Sequence, residues 1–303
     1  MDLSRLFKLG TRGSPLALIQ ANMVKDALAA AHGIDCEIHV IRTTGDRVQD
    51  RALAEIGGKA LWTKELDRAL LDGEIDCAVH SMKDVETIRP DAIVIVAMLE
   101  RADVRDRLVG ADNIDAIRQG GVVGSSSPRR RAQVLRARPD LSVVLFRGNV
   151  DTRLAKLAAG EADATLLAAA GLDRLGRDDV GQAIATEKML PAPAQGAVGI
   201  ECRADDAMMR GLLGKIDHAP TSRAVRCERA LLAALDATCH SPVAALAMID
   251  GDVVTLRAEL LSEDGAEHVA ADASGGDGEA LARDLARALL DRAPPAVRAG
   301  FGG

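Results

Sequence analysis

The sequence predicts an α/β protein with two α/β domains and a smaller C-terminal α+β domain. Short apolar runs alternate with amphipathic helical segments up to about residue 100, and the same rhythm restarts after residue 101. Such βαβ alternation indicates parallel sheets. From residue 220 onward, a long helical pattern precedes two alternating segments and a closing helix, which is typical of an α+β domain. A chain of 303 residues with 48% apolar composition can bury two or three cores.

The first stretch begins with a strand that leads into a helix at Pro15. Serine at position 14 and proline at the first helical position are a favoured helix start. The predicted elements of this stretch are strands over 6–10, 34–41, 77–79 and 93–97 and helices over 15–31 and 61–71.

The second stretch repeats this order. Its predicted elements are strands over 122–123, 143–146 and 165–167 and helices over 128–137 and 151–159. A strand over 197–202 could return to the first sheet, and such a double crossing predicts a hinge near 98–101 and 191–197. The C-terminal part is predicted to contain helices over 220–235 and 279–291 and strands over 243–249 and 253–261. We expect an irregular surface connection over 265–278, which is rich in Gly, Asp, Ala and Ser.

The composition excludes several partners. Only three Phe, one Trp and no Tyr offer rings for base stacking, and the formal net charge of −7 opposes phosphate binding, so we expect no nucleic-acid partner. No apolar run approaches the roughly 18 residues of a membrane span, and the N-terminal residues lack an apolar signal core. We therefore expect no membrane partner and a cytoplasmic location.

The chain has five cysteines, which is an odd number, and none are closely paired in sequence. This argues against both a disulfide framework and a zinc knuckle. Cys36, Cys77 and Cys202 lie in apolar runs and are interpreted as small buried hydrophobes. Cys239 lies in a polar stretch that ends in proline, so residue type alone leaves an inert thiol and a reactive thiol equally open. His80 is a lone histidine on a strand and is predicted to occupy a core position, so no metal is implied.

An arginine-rich segment contrasts with the acidic chain. Residues 101–153 contain eleven arginines, no lysine and six acidic residues. Guanidinium groups pair bidentately with carboxylate or phosphate, which predicts a small polyanionic ligand. The helix starts at 11–15 and 125–130 can each receive an anion. Arg129 and Arg130 fall in a first helical turn, where cations oppose the helix dipole, so we expect a ligand anion to compensate them.

The segment 79–84 ends an apolar strand with a His, a Ser, a Lys and an Asp, at the sheet edge where ligands usually bind. Asp84 beside Lys83 is compatible with a plain ion pair and with a catalytic carboxylate, and residue types alone leave both open.

Seven motifs in one order resemble the porphobilinogen deaminase (hydroxymethylbilane synthase) family over roughly residues 9–243. They are Thr-Arg-Gly-Ser-Pro-Leu-Ala at 11–17, Gly-Gly-Lys-Ala-Leu-Trp-Thr-Lys-Glu-Leu at 57–66, Val-His-Ser-Met-Lys-Asp-Val at 79–85, Ser-Ser-Ser-Pro-Arg-Arg at 125–130, Phe-Arg-Gly-Asn-Val-Asp-Thr-Arg at 146–153, Ala-Gly-Leu-Asp-Arg-Leu at 170–175 and Gln-Gly-Ala-Val-Gly-Ile-Glu-Cys-Arg at 195–203.

The resemblance implies two periplasmic-binding-protein-like α/β domains joined by a hinge, plus a smaller C-terminal α+β domain that attaches the cofactor. The implied boundaries are 1–98 with 197–217, 99–196 and 218–303. It also implies a monomeric transferase that condenses four porphobilinogen molecules, with loss of ammonia, into hydroxymethylbilane for tetrapyrrole and heme biosynthesis. A segment over 45–59 with glycines at both ends is predicted to be a mobile lid.

Site residues follow from the same resemblance. Asp84 matches the catalytic acid, and Cys239 matches the cysteine that anchors a covalent dipyrromethane primer. The residues implied to bind cofactor and substrate are Arg12, Ser14, Lys59, Ser81, Lys83, Ser125, Ser126, Ser127, Arg129, Arg130, Arg147, Arg153, Arg174 and Gln195, with no metal ligand.

The chain departs from the usual family pattern in three places. Ala237 and Thr238 stand where two glycines usually precede the cysteine, Glu86 replaces a proline, and Pro128 replaces a leucine. The alternative to an enzyme is a two-domain anion-binding protein of the solute-receptor type, which would share the paired lobes and the arginines.

Overall fold

A computed structural model describes residues 6–43, 63–238 and 240–301 of the chain. Cys239, Lys59 and the predicted lid over 45–59 lie outside the described residues. These residues divide into two compact units, one comprising 6–43, 63–102 and 196–222 and the other 103–195, 223–238 and 240–301.

The first unit holds a five-stranded sheet in the order β2-β1-β3-β10-β4. Its strands are β1 Phe7–Thr11, β2 Cys36–Val40, β3 Cys77–Ser81, β4 Ile93–Met98 and β10 Val198–Arg203, and its helices are α1 Pro15–His32, α2 Lys64–Leu71 and α6 Ala207–Leu213. Strand β1 pairs in parallel with β2 and β3, whereas β10 runs antiparallel to both of its neighbours. The predicted return of the chain to the first sheet is confirmed, but the sheet is mixed where we expected parallel strands only.

Helix α1 forms as its sequence predicts. Ser14 is the N-cap and accepts a hydrogen bond from the backbone N–H of Ala17, and Gly33 ends the helix with φ of +67°. The apolar face of α1 packs on a core that includes Phe7, Leu9 and the three cysteines predicted to be buried. These thiols are at most 2% exposed, which confirms their interpretation as small core residues.

A second five-stranded sheet, in the second unit, has the order β7-β6-β8-β5-β9. Its strands are β5 Asp106–Val109, β6 Val122–Gly124, β7 Ser142–Val144, β8 Ala164–Ala168 and β9 Gln182–Ala183, and its helices are α3 Pro128–Ala137, α4 Val150–Ala158 and α5 Ala169–Arg174. Strands β5 and β9 were not predicted, and β5 is antiparallel to β8. Strand β6 needs glycine at 124, because a Cβ there would lie 2.3 Å from the ring of Phe146.

The second unit also holds an antiparallel sheet, β11 Val243–Asp250, β12 Val253–Leu261 and β13 His268–Gly275, with helices α8 Gly278–Arg292 and α9 Pro295–Arg298. Helix α7, Ala219–Ala234, leads into this sheet and packs on it with α8. The irregular connection expected over 265–278 is therefore wrong, because β13 pairs with β12 along its whole length. Only Val269 of this edge strand is buried, so its sequence lacks an apolar pattern.

Two features of the described chain bear on function. No helix within the described ranges is both long and apolar enough to cross a bilayer. Within the same ranges, no group of three His, Cys, Asp or Glu side chains is arranged to hold a metal ion.

Candidate functional site

A cavity in the first unit brings together four of the predicted site residues, Arg12, Ser14, Ser81 and Asp84. Strands β1 and β3 are parallel neighbours, so their carboxyl ends meet at one edge of the sheet. Arg12 follows β1 directly, Ser81 ends β3, and Asp84 closes the 3₁₀ turn Met82–Asp84 that continues β3. The sheet edge predicted to hold the ligand therefore lines a cavity.

Gln20 also lines this cavity, although the sequence did not predict it as a site residue. Its amide donates to Ser81 Oγ at 2.8 Å, and the Ser81 hydroxyl donates to Gln20 Oε1 at 3.0 Å. Gln20 lies among the buried residues of α1, where Ala17, Ala21 and Val24 are apolar. A polar side chain on the buried face of an amphipathic helix is the signal that could have identified it.

His80 is buried, as predicted, and also lines the cavity. Its Nε2 lies 3.1 Å from Oε2 of Glu201, which has no exposed surface. Burial alone would raise the pKa of Glu201, but His80 and the two hydrogen bonds donated by Arg89 lower it to about 2. A charged network therefore lies directly behind the cavity wall.

Glu86, which replaces the family's proline two residues after Asp84, joins the same network. Its Oε2 accepts hydrogen bonds from Thr63 Oγ1 at 2.7 Å and from Arg89 Nη1 at 2.8 Å. The carboxylate of Glu86 is thus paired, and Thr63 at the start of α2 also lines the cavity.

In the second unit, Arg129 and Arg130 converge on Asp106, which has 1% exposure. Arg129 Nη1 donates to Oδ2 of Asp106 and Arg130 Nη2 donates to Oδ1, both at 2.7 Å. Gln195 Nε2 also donates to Oδ1 of Asp106, at 2.9 Å. Burial alone would raise the pKa of Asp106, but the two guanidinium charges hold it well below its usual range.

The compensating anion that we expected from a ligand is therefore a carboxylate of the chain itself. The two cations in the first turn of α3 are thus compensated by an anion, but that anion comes from a residue that precedes them in the chain. Two guanidinium groups still face one carboxylate here, and the buried Nε atoms of Arg129 and Arg130 have no hydrogen-bond partner among the described residues.

The three serines before α3 organise its start. Ser127 is the N-cap of α3, accepting from the Arg130 N–H, and Ser125 Oγ accepts from the Ser127 N–H at 3.2 Å. Ser126 Oγ accepts from Arg153 Nη2 at 3.3 Å, which ties α4 to this loop. The serines and Arg153 thus form one local group with the start of α3.

The remaining predicted residues are placed individually. Arg147 is buried, and Lys83 is half-buried within the 3₁₀ turn of the first unit. Arg174 ends α5, and burial lowers the pKa of its guanidinium in opposition to Asp173. Among the described residues, the predicted site residues thus comprise Arg12, Ser14, Ser81 and Asp84 at the cavity, with Lys83 in the adjoining turn, and a group rich in arginines in the second unit.

Comparison with known proteins identifies the family. Residues 7–211 match the model "Porphobilinogen deaminase, dipyromethane cofactor binding domain" and residues 222–291 match "Porphobilinogen deaminase, C-terminal domain". Among curated proteins, the porphobilinogen deaminase of Sphingopyxis alaskensis is 59% identical over 303 residues, covering 97% of this chain and 96% of the relative. That of Paracoccus denitrificans is 53% identical over 301 residues, with coverages of 97% and 96%.

Solved structures similar to this chain include an ancestral cationic amino acid solute binding protein, with 16% identity, a TM-score of 0.44 and coverages of 71% of this chain and 89% of that one. The periplasmic VFT2 domain of Bordetella pertussis BvgS has 18% identity, a TM-score of 0.41 and coverages of 70% and 86%. The match of both family models in sequence order, together with the near-full-length relatives, shows that the chain belongs to the porphobilinogen deaminase family.

Proposed function

We propose that this chain is a hydroxymethylbilane synthase, a transferase that condenses four porphobilinogen molecules head to tail with release of ammonia. The product is the linear hydroxymethylbilane of tetrapyrrole and heme biosynthesis, whose terminal hydroxyl comes from a water molecule that adds to the end methylene carbon on release. In each condensation, the bond between a methylene carbon and the amino nitrogen breaks, and that carbon bonds to the α-carbon of another pyrrole, which loses its proton. The observation that carries the proposal is the cavity that Arg12, Ser81 and Asp84 line together.

Asp84 is the catalytic residue in this proposal. Its carboxyl assists departure of ammonia, and its negative form stabilises the cationic methylene-pyrrole of the substrate that remains. The same oxygens accept the pyrrole N–H groups and so orient the ring for attack. Arg12, which lines the same cavity, neutralises a substrate carboxylate, because each porphobilinogen carries an acetate and a propionate.

Recognition of the substrate carboxylates extends to the other predicted residues. Ser14, Ser81 and Lys83 supply donors in the first unit, with Lys59 completing that set from outside the described residues. In the second unit the set consists of Arg129, Arg130, Arg147, Arg153, Arg174, Gln195 and the serines at 125–127.

The arginine group fits a dipyrromethane cofactor, which is rich in carboxylates. The two positive charges of Arg129 and Arg130 exceed the single negative charge of Asp106, and within the described part of the chain their buried Nε atoms have no hydrogen-bond partner. When bound, this cofactor supplies a primer that stays on the protein through successive turnovers. We assign its attachment to the sulfur of Cys239, and the arginines and serines of the second unit hold its acetate and propionate groups.

Three broader assignments complete the proposal. The chain forms three domains, 1–98 with 197–217, 99–196 and 218–303, which move about hinges near 98–101 and 191–197. It acts as a monomer. It works in the cytoplasm.

The activity is tested by incubating the protein with porphobilinogen and measuring released ammonia and pyrrole product. Replacing Asp84 with alanine should reduce ammonia release by about 10²- to 10⁴-fold, the usual contribution of an acid–base group. Asp91→Ala, which removes an exposed carboxylate of the same unit, is the matched control and should behave as wild type. A wild type that binds porphobilinogen without releasing ammonia would be a binding protein and would contradict the proposal.

A further inference from the structure

Arg89 lies at the centre of a buried group of charged side chains in the first unit. We use the name Arg89 cluster for Asp67, Glu86, Arg89 and Glu201. Arg89 donates to Asp67 Oδ1 at 2.5 Å, to Glu86 Oε2 at 2.8 Å and to both oxygens of Glu201 at 2.8 Å. The Arg89 side chain is only 8% exposed. Through these hydrogen bonds its guanidinium joins three separate segments of the chain.

Net stability alone does not explain the cluster, because desolvation of its buried charges offsets much of their attraction. Three carboxylates share a single guanidinium, and burial keeps the pKa of Asp67 above its usual value even though Arg89 opposes this. Buried ion pairs repay their desolvation poorly, and their best-supported role is to hold groups in one geometry. The arrangement therefore indicates a positional function.

The segment that the cluster holds is the turn that carries Asp84. This 3₁₀ turn has three residues, Met82–Asp84, and the Val85 N–H donates to the Met82 carbonyl across it at 3.3 Å. Such a short turn has little rigidity of its own. On its N-terminal side the chain is fixed by the bonds between Ser81 and Gln20, and on its C-terminal side by Glu86.

Glu86 is bound from two directions. Thr63, at the start of α2, donates a hydrogen bond to Glu86 Oε2, the same oxygen that accepts a hydrogen bond from Arg89. Thr63 and His80 both line the cavity, and His80 contacts Glu201 of the cluster. The cluster thus joins the cavity wall to the chain on the far side of Asp84.

We propose that Glu86 and Arg89 are positioning residues that hold the Asp84 turn against α2 and β10. They do not touch the substrate but set where the Asp84 carboxylate lies in the cavity. This inference rests on the proposed catalytic role of Asp84. A displacement of about 1 Å in a catalytic group can reduce the rate by up to about 10²-fold, so loss of the clamp should affect turnover more than binding.

The primary test uses Glu86→Ala and measures ammonia release as a function of porphobilinogen concentration. We expect kcat to fall about 5- to 50-fold while KM changes less than about twofold, because the carboxylate-binding residues remain in place. Glu74→Ala is the matched control, since it removes an exposed partner of Arg68 from an ion pair in the same unit. Arg89→Met should show the same loss of kcat with a lower unfolding temperature, because it leaves three carboxylates without their guanidinium.

A second measurement shows that the effect passes through Asp84. In an Asp84→Glu background the carboxylate is already displaced, so adding Glu86→Ala should lower kcat less than about twofold further. An equal fold loss in both backgrounds would overturn the proposal, as would an unchanged kcat for Glu86→Ala in the wild-type background. If Arg89→Met fails to fold, the Glu86 variants decide alone. A wild type that releases no ammonia would instead contradict the proposed function, so the two failures are distinguishable.

Discussion

Replacing Asp106 with asparagine should strongly destabilise the second unit. The substitution keeps the size of the side chain but removes the charge that faces Arg129 and Arg130, whose hydrogen bonds to it are 2.7 Å long. All three residues are at most 5% exposed, so solvent cannot replace the lost carboxylate. Removing one partner of a buried ion pair costs about 3–5 kcal/mol, and here two cations lose their anion. We expect a loss within or above that range.

Equilibrium denaturation in urea measures this loss directly. For domains of 150–250 residues, about 3–5 kcal/mol corresponds to a fall in unfolding temperature of about 6–20 °C. Asp151→Asn is the matched control, because Asp151 is 52% exposed and pairs with the exposed Arg177, and it should cost less than about 1 kcal/mol. A loss below about 1 kcal/mol for Asp106→Asn would refute the assignment of Asp106 as the compensating anion.

Acid titration should reveal the same kind of buried carboxylate in the first unit. The unfolded pKa of glutamate is about 4.3, whereas that of Glu201 is about 2 in the folded protein, so its contribution is complete above pH 4.3 and lost as pH falls towards 2. Gly124→Ala should lower stability by about 1–3 kcal/mol, because its Cβ would overlap the ring of Phe146. Gln20→Ala removes both hydrogen bonds to Ser81 and should lower kcat/KM about 2- to 10-fold.

The roles of Glu201, Gly124 and Gln20 can each be contradicted by a specific result. Glu201→Gln should flatten the dependence of unfolding free energy on acid pH, and an unchanged curve would remove Glu201 as its source. A Gly124→Ala protein as stable as wild type would show that Phe146 moves aside freely. Unchanged kcat/KM for Gln20→Ala would mean that Ser81 needs no fixed orientation.

Local chemistry made much of the fold predictable. Helix α1 was predicted to within one residue because Ser14 and Pro15 mark its start. The predicted bounds of α3 are those observed, since Ser127 and Pro128 form the same signal. Strand β13 was not predicted because an exposed edge strand needs no alternation of apolar residues. It is a strand because it pairs with β12, and that pairing is not visible in its own residues.

Site residues could be predicted only where they lie together in short sequence motifs. Arg12, Ser14, Ser81 and Asp84 were assigned from two motifs, and the pairing of β1 with β3 brings them to one cavity. Their supporting partners depend on contacts across long distances in sequence. Gln20 and Ser81 are 61 residues apart, and no local pattern indicates which buried polar groups will meet.

The covalent attachment of the primer tests the account most directly. The intact mass of the purified protein should exceed that of its sequence by two porphobilinogen units less their ammonia, and Cys239→Ser should lack this excess. The mass of an unmodified wild type should rise by the same amount after incubation with porphobilinogen. If wild type gained no mass after that incubation, or if Cys239→Ser carried the same adduct, the proposed assignment of Cys239 and its primer would be contradicted.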